Sequence, residues 1–63
     1  MKNYYYIYDR DNREYVNIIF HSLGEARIYL ARLVSCDNVA ELDEHLAEYA
    51  PNLRIEKHNK LHF

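Results

Sequence analysis

Histidine and cysteine are the side chains of this sequence best suited to bind a metal ion. The candidates are Cys36, His45, His58 and His62, and the spacing His58-x-x-x-His62 matches the second half of a zinc-finger pattern. The first half is missing, because Cys36 is the only cysteine, and His58 falls in a predicted strand rather than in a helix. We therefore expect no metal site.

The same side chains could act in nucleophilic catalysis, with Cys36 as the nucleophile and His45 as the base. The sequence marks no third group that would orient the base and no feature that would stabilise an oxyanion. The only glycine, Gly24, lies inside a helix-capping motif, so there is no glycine-rich phosphate loop. A chain of 63 residues also has little room for a substrate pocket. We expect a protein that is not an enzyme and that uses no cofactor.

The composition is that of one small folded domain, residues 1–63, with 49% hydrophobic and 29% charged residues. The net charge of -2 does not attract nucleic acid or anionic membranes to the molecule as a whole. No apolar run approaches the roughly 18 residues of a membrane span. The start, Met1-Lys2-Asn3-Tyr4, has no secretion pattern, and a lone cysteine fits a reducing compartment. We therefore expect a cytoplasmic protein.

Three segments have the composition of β-strands. Residues 3–8 and 15–21 are rich in aromatic and β-branched side chains. The polar segment between them predicts a hairpin with a two-residue turn at Asp11-Asn12. Residues 53–58 alternate apolar and polar side chains, which is typical of a half-buried strand.

Two capping motifs predict two helices. Ser22 and Glu25 form a capping box that opens a helix running to about Ser35. A second box at 38–41 opens another helix, which ends before Pro51. The side chains predicted to face the core are Leu23, Ala26, Leu30, Leu33 and Val34, then Val39, Leu42, Leu46 and Tyr49 or Ala50.

The element order ββααβ predicts an α+β domain, a three-stranded and mainly antiparallel sheet with a helical hairpin on one face. Two antiparallel helices would return the chain to the end at which the second strand finished. The last strand would then run antiparallel to the second strand and parallel to the first. It could pair with either strand, and antiparallel pairing with the second is favoured.

The hairpin register decides which side chains share a face. A two-residue turn would pair Tyr8 with Tyr15 and would place Tyr5, Ile7, Val16, Ile18 and Phe20 under the helices. The opposite face would then carry Tyr4, Tyr6, Tyr8, Tyr15, Ile19 and His21. A loop that differs by one residue would instead turn Tyr4, Tyr6 and Tyr8 into the core, and leave Tyr5, Ile7, Tyr15 and Ile19 outside. Either register leaves an aromatic patch outside the helical cover.

Three interpretations of this patch stay open. The tyrosines could stabilise a solvated sheet through cross-strand pairs. They could form a homodimer seam or an interface with a partner protein, which we favour because soluble monomers seldom expose such patches. They could also be a platform on which nucleic-acid bases stack, with Arg10 and Arg13 supplying positive charge.

Acidic side chains are concentrated in residues 37–48, which hold five carboxylates and no Lys or Arg. Helical spacing places Glu41, Glu44 and Glu48, with His45, on the solvent side of the second helix. One explanation is a solvated helix face with acidic residues near its N-terminus. The other is a negative ridge that attracts a basic surface of a partner.

In size, acidic balance, tyrosine content and ββααβ layout, the chain resembles the small proteins that phages and mobile elements encode. Some of these proteins inhibit host defence systems, and the anti-CRISPR proteins are among them. The resemblance implies inhibition by occupying a protein surface, such as a basic channel that binds nucleic acid.

We therefore expect a non-enzymatic protein-binding module that covers a surface of a host protein involved in defence or in handling nucleic acid. The expected contact residues are Tyr4, Tyr6, Tyr8, Tyr15, Ile19, Glu41, Glu44 and Glu48. The expected partner is a protein with a basic surface, and one surface of the domain could also form a homodimer. The alternative is a small nucleic-acid-binding or regulatory protein that uses the tyrosine sheet and the basic hairpin loop.

Overall fold

The computed structural model describes Lys2–Leu61 and, within that range, contains three strands, two α-helices and one 3₁₀ helix. The elements in chain order are β1 (Tyr4–Asp9), β2 (Glu14–Tyr15), α1 (Leu23–Leu33), the 3₁₀ helix (Val39–Glu41), α2 (Leu42–Tyr49) and β3 (Leu53–His58). The strands form one antiparallel sheet in the order β2-β1-β3. The α+β class and the order ββααβ are confirmed.

The position of β3 differs from the prediction, because β3 pairs with β1 and runs antiparallel to it. Phe20 pairs with Tyr5 near the start of β1, whereas Leu53 pairs with Asp9 at its end. The helical segment between Phe20 and Leu53 thus carries the chain from one end of β1 to the other. The predicted direction of β3 was wrong because it assumed two helices that cancel each other's displacement.

The tip of the hairpin has the predicted register, since Tyr8 pairs with Tyr15. Its loop has four residues, 10–13, rather than two, because the last pair is Asp9 with Glu14. The Asp9 carboxylate shapes the loop by accepting hydrogen bonds from two of its backbone N–H groups, at 3.0 and 3.4 Å. A loop longer by an even number of residues leaves every side chain on its predicted face.

The segment after β2 does not continue as the regular strand that its composition predicts. Val16 donates a backbone hydrogen bond to Ile7 (2.9 Å), but Phe20, and not Ile18, pairs with Tyr5. Two extra residues therefore form a bulge, in which the Ile18 N–H donates to the Val16 carbonyl oxygen (2.8 Å). The insertion is again even, so the apolar side chains keep their face.

The core lies between the sheet and the two helices. Its buried side chains are Ile7, Phe20, Ala26, Leu30, Ala31 and Leu42. Tyr5, Val16 and Ile18 pack against them, which confirms the predicted helix-covered face. Leu53 and Ile55 of β3 complete this layer.

The first helix begins at the predicted cap, where the Glu25 N–H donates to the Ser22 hydroxyl oxygen (3.1 Å). Its buried face differs from the prediction. Leu23 and Leu33 are 47% and 51% exposed, and Ala31 is buried instead. A small side chain at the interface lets the helix backbone lie close to the sheet, which leaves the larger leucines on its flanks.

The second helix follows the 3₁₀ helix, which Asn38 caps. Leu42 is fully buried, as its spacing predicts. Ala50, rather than Tyr49, faces the core, and Tyr49 is 68% exposed. Among the described residues, neither helix has the length and the apolar character needed to cross a membrane.

Candidate interaction surfaces

The side of the sheet without helices carries an aromatic and charged surface, which we call the tyrosine face. It consists of Tyr4, Tyr6, Tyr8, Tyr15, Arg54, Glu56 and His58. Strand alternation places the four tyrosines there, on the side away from Tyr5 and Ile7, as the first predicted register has them. Tyr6 is nevertheless completely buried (0% exposed), and the other three tyrosines are half-buried. A partner could therefore not touch Tyr6 directly.

Tyr6 is buried by rings from both neighbouring strands. The Tyr15 ring meets it at a centroid distance of 5.7 Å and an angle of 74°. The His58 ring meets it at 5.3 Å and 81°. Both contacts have the edge-to-face geometry that aromatic rings favour. The tyrosine face thus has a small aromatic core of its own.

Glu56 links β2 to β3 above this core. The Tyr15 hydroxyl donates to Oε1 of Glu56 (2.8 Å), and His58 Nε2 lies 3.0 Å from the same oxygen. Arg54 binds Oε2 through Nε (2.8 Å) and Nη2 (2.6 Å). The Glu56 side chain is only 19% exposed.

These contacts shift two pKa values. Burial raises the pKa of Glu56, but the hydrogen bonds from Tyr15, His58 and Arg54 outweigh it, and the pKa lies below its ordinary value. The pKa of Tyr15 is raised, chiefly because its hydroxyl donates to the Glu56 carboxylate. Both shifts favour the protonation states in which the hydrogen bond exists.

Two further contacts extend the tyrosine face. The Arg54 guanidinium carbon lies 5.1 Å from the centroid of the Tyr8 ring, in a cation–π contact. The Tyr4 ring meets His21 at 6.0 Å. Ile19, a predicted contact residue, lies in the bulged segment after β2 and is half-buried.

Arg54, Glu56 and His58 also belong to this surface, although they were not among the predicted contact residues. Their alternation with apolar residues was visible in the sequence, but pairing of β3 with the second strand was favoured. Pairing with β1 brings these three side chains beside the tyrosines.

The carboxylates of Glu41, Glu44 and Glu48 form a second surface, which we call the acidic ridge. All three side chains are exposed, as predicted, and with His45 they line a shallow open depression of about 130 Å³. No Lys or Arg of the described residues forms an ion pair with them. Asp43 differs, because Arg27 binds its carboxylate at 3.2 Å.

The tyrosine face and the acidic ridge lie on opposite sides of the molecule. Leu42 and Leu46 of α2 pack into the core under the helix-covered face of the sheet, so the exposed side of α2 points away from the sheet. The tyrosine face is the other surface of that sheet. One flat partner surface therefore cannot cover both.

Cys36 and His45, the candidate nucleophile and base, form hydrogen bonds to backbone carbonyl oxygens near the junction of the two helices. Cys36 Sγ lies 3.2 Å from the Asn38 carbonyl oxygen, and His45 Nε2 lies 2.8 Å from that of Val34. His45 is thus half-buried, rather than on the solvent side as predicted. Within Lys2–Leu61, no group of three or more His, Cys, Asp or Glu side chains could hold a metal ion. His62 lies outside the described residues.

Comparisons with known proteins give no family for this chain. No protein-family model matches the sequence, and neither a curated protein nor a solved structure matches the chain. Function must therefore be inferred from the two surfaces.

Proposed function

We propose that this protein is a non-enzymatic protein-binding module that docks through the tyrosine face. The arrangement of Tyr8, Tyr15 and Arg54 around Glu56 carries this proposal. Tyrosine and arginine, together with tryptophan, are enriched among the few residues that dominate protein–protein binding energies. Here a carboxylate holds the rings and the guanidinium in place before a partner arrives, so docking costs little side-chain entropy.

The acidic ridge supports a second contact, with a basic surface. Surface charges act over about 8 Å at physiological salt, so the ridge attracts only a surface that it faces. A partner that normally binds nucleic acid offers such a surface, and covering it would exclude the nucleic acid. This is the mode of inhibition that the resemblance to phage-encoded inhibitors implies.

The geometry argues against the alternative of a base-stacking platform. Bases need exposed rings and a positive groove for the phosphates. Tyr6 has no exposed surface, and the Glu56 carboxylate lies in the middle of the face, where it repels phosphate. Arg10 and Arg13 lie in the hairpin loop, beyond the end of the ring cluster.

An acid–base enzyme is a poorer explanation of the Glu56 group. Two shallow depressions on the described surface are lined by other side chains, Lys2, Asn3, Tyr5 and His21 in one and the acidic ridge with His45 in the other. Tyr15, Arg54 and His58 already occupy the Glu56 oxygens, so the carboxylate is committed to holding the face together.

The test is affinity capture from a host lysate followed by measured binding of the partner it identifies. We expect Tyr8→Ser to weaken binding at least tenfold. Tyr49→Ser is the matched control, because Tyr49 is an exposed tyrosine on α2, away from the tyrosine face. Tyr6→Ala is unsuitable, since Tyr6 is buried and its loss would destabilise the whole domain. A Tyr8→Ser variant that binds the partner as tightly as the wild type does would exclude the tyrosine face.

The ridge contact has its own test, which compares two double charge reversals of equal net charge. Glu44→Lys with Glu48→Lys alters the acidic ridge, whereas Asp11→Lys with Glu14→Lys alters exposed residues of the hairpin. We expect only the ridge variant to slow association, and the difference to shrink at high salt. Salt-sensitive binding of single-stranded nucleic acid by the wild type would instead favour the alternative function.

A further inference from the structure

The sheet has two edge strands, β2 and β3, and of the two β3 is the long, regular one. β3 has six residues, and among Lys2–Leu61 its only strand neighbour is β1. The opposite edge is different, because β2 has two residues and is followed by a bulge, which hinders edge-to-edge pairing. A regular edge strand is a template for another strand.

The hydrogen bonds of β1 show which backbone groups point outward from β3. The backbone groups of Tyr5 and Ile7 form hydrogen bonds on the β2 side of β1. The backbone groups of the even-numbered residues of β1 therefore point to β3. Their partners on β3 are the even-numbered positions. The N–H and C=O groups of Leu53, Ile55 and Lys57 therefore point to the outer edge, although the Leu53 N–H already donates to the Ala50 carbonyl oxygen (3.1 Å).

A second copy of the chain can pair with this edge antiparallel about a two-fold axis in three central registers. With the axis at Arg54 the two Arg54 side chains oppose each other, and with the axis at Glu56 the two Glu56 side chains do. With the axis at Ile55, Arg54 lies opposite Glu56 of the second copy, and Ile55 lies opposite Ile55. Only this register joins opposite charges on one face and apolar side chains on the other.

We propose that the protein forms a homodimer through the β3 edge, with Ile55 on the two-fold axis. The dimer has a continuous six-stranded sheet, in which Arg54 and Glu56 of the two copies alternate in sign. Lys57 lies opposite Leu53 at each end, where its aliphatic stem covers the leucine and its ammonium group reaches water. The tyrosines of both copies lie on the same side of the sheet and away from the new strand pair, so the dimer does not require the proposed function.

The first test removes an outward backbone donor without removing a bond inside the monomer. Lys57→Pro deletes the Lys57 N–H, which points away from β1, whereas Lys57→Ala keeps it and serves as the matched control. In sedimentation equilibrium over micromolar to millimolar concentrations, we expect the wild type and Lys57→Ala to dimerise. Lys57→Pro should dimerise about tenfold more weakly or worse. Circular dichroism of the variants reports whether the monomer fold is kept.

The second test reads the register directly and does not depend on the proline variant. In a Cys36→Ala background, Ile55→Cys places two cysteines opposite each other on the axis, about 5.5 Å apart between Cα atoms, a distance that suits a disulfide. Mild oxidation should therefore cross-link the Ile55→Cys dimer rapidly. Lys57→Cys in the same background should cross-link slowly, since Lys57 faces Leu53.

Three results would overturn the proposal. One is a wild type that stays monomeric at millimolar concentration, which would leave the β3 edge for a strand of another protein. Another is a dimer that Lys57→Pro, still folded, does not weaken. The third is faster cross-linking at position 57 than at position 55. None of these results bears on partner binding by the tyrosine face, so the two proposals can fail separately.

Discussion

Glu56 shows how one side chain organises a whole surface. Its two oxygens bind three neighbours, and the one from β2, Tyr15, reaches over β1 to meet it. A half-buried carboxylate is costly unless each oxygen is hydrogen-bonded, and here both are. The rings of the tyrosine face are therefore held by a polar contact rather than by packing alone.

Removing the Tyr15 hydroxyl tests this role. We expect Tyr15→Phe to lower the free energy of unfolding by about 1 kcal/mol, because Glu56 loses a hydrogen bond in a partly desolvated place. The pKa of Glu56 should rise towards its ordinary value, since that bond helps to lower it. Urea unfolding and a carboxyl NMR titration measure the two effects.

Tyr8→Phe is the control for this experiment, because the Tyr8 hydroxyl has no hydrogen bond among the described residues. It should change the free energy of unfolding by less than about 0.5 kcal/mol. Equal losses in both variants would mean that the Glu56 contact contributes nothing.

The shifted pKa values predict stability that falls at both ends of the pH range. Hydrogen bonds from Asn52 and Asn12 hold the pKa of Asp9 below 3.8, and the pKa of Glu56 lies below 4.5. The stability that these groups contribute is present above those values and is lost as the pH falls through the folded-state pKa. The pKa of Tyr15 is raised above 10.0, so its contribution is present below pH 10.0 and is lost as the pH rises further.

Urea unfolding between pH 2 and 11 checks both limbs. Asp9→Asn should flatten the acid limb and leave the alkaline limb, whereas Tyr15→Phe should flatten the alkaline limb. A variant that shifts the whole curve without changing its shape would show that the named group does not titrate differently in the folded state.

Among the separate elements, the ends of helices were predictable because capping is local in sequence. The cap at Ser22 and the stop at Pro51 both lie where their residue types place them. The pairing of β3 was not predictable in this way, because it depends on the net displacement of the chain between Phe20 and Leu53, and no local pattern in the sequence reports that displacement. The bulge after β2 was hidden for the same reason, since its residues are ordinary strand formers.

The end of α1 gives a prediction at this scale. The backbone N–H of Cys36 donates to the Ala31 carbonyl oxygen (2.7 Å), and the backbone N–H of Ser35 donates to the Arg32 carbonyl oxygen (3.3 Å). These are the two hydrogen bonds of a Schellman motif. Ser35 has a φ of 58°, a left-handed conformation that favours glycine. We expect Ser35→Gly to raise the free energy of unfolding by about 0.5 kcal/mol, because the relief of strain exceeds the added chain entropy.

Arg32→Gly is the control for this substitution, because Arg32 lies inside the last turn of α1. Glycine there should lower the free energy of unfolding by about 1 kcal/mol. If the conformation of Ser35 is strained, thermal unfolding should show a higher stability for Ser35→Gly and a lower stability for Arg32→Gly than for the wild type. A loss of stability in both would show that the gain from the left-handed position is absent.

At the scale of the whole molecule, a sheet of three strands is buried on both faces by different means. The helices cover Ile7 on one side, and Tyr15 with His58 covers Tyr6 on the other. The helical cover over Ile7 was predicted from the sequence. The cover over Tyr6 was not, because the tyrosines were expected to form a surface that only a partner would bury. A chain of 63 residues has an expected stability of about 3–9 kcal/mol, so both covers matter.

This double burial predicts that Tyr6 behaves as a core residue although it lies on the tyrosine face. We expect Tyr6→Ala to lower the free energy of unfolding by about 3 kcal/mol, similar to Leu42→Ala, because each leaves a cavity under side chains that cannot collapse into it. Leu33→Ala, at a half-exposed position of α1, should lose less than about 1 kcal/mol. Urea unfolding of the three variants ranks them. A Tyr6→Ala loss as small as that of Leu33→Ala would mean that the rings over Tyr6 move aside in solution and that the tyrosine face is not held ready for a partner.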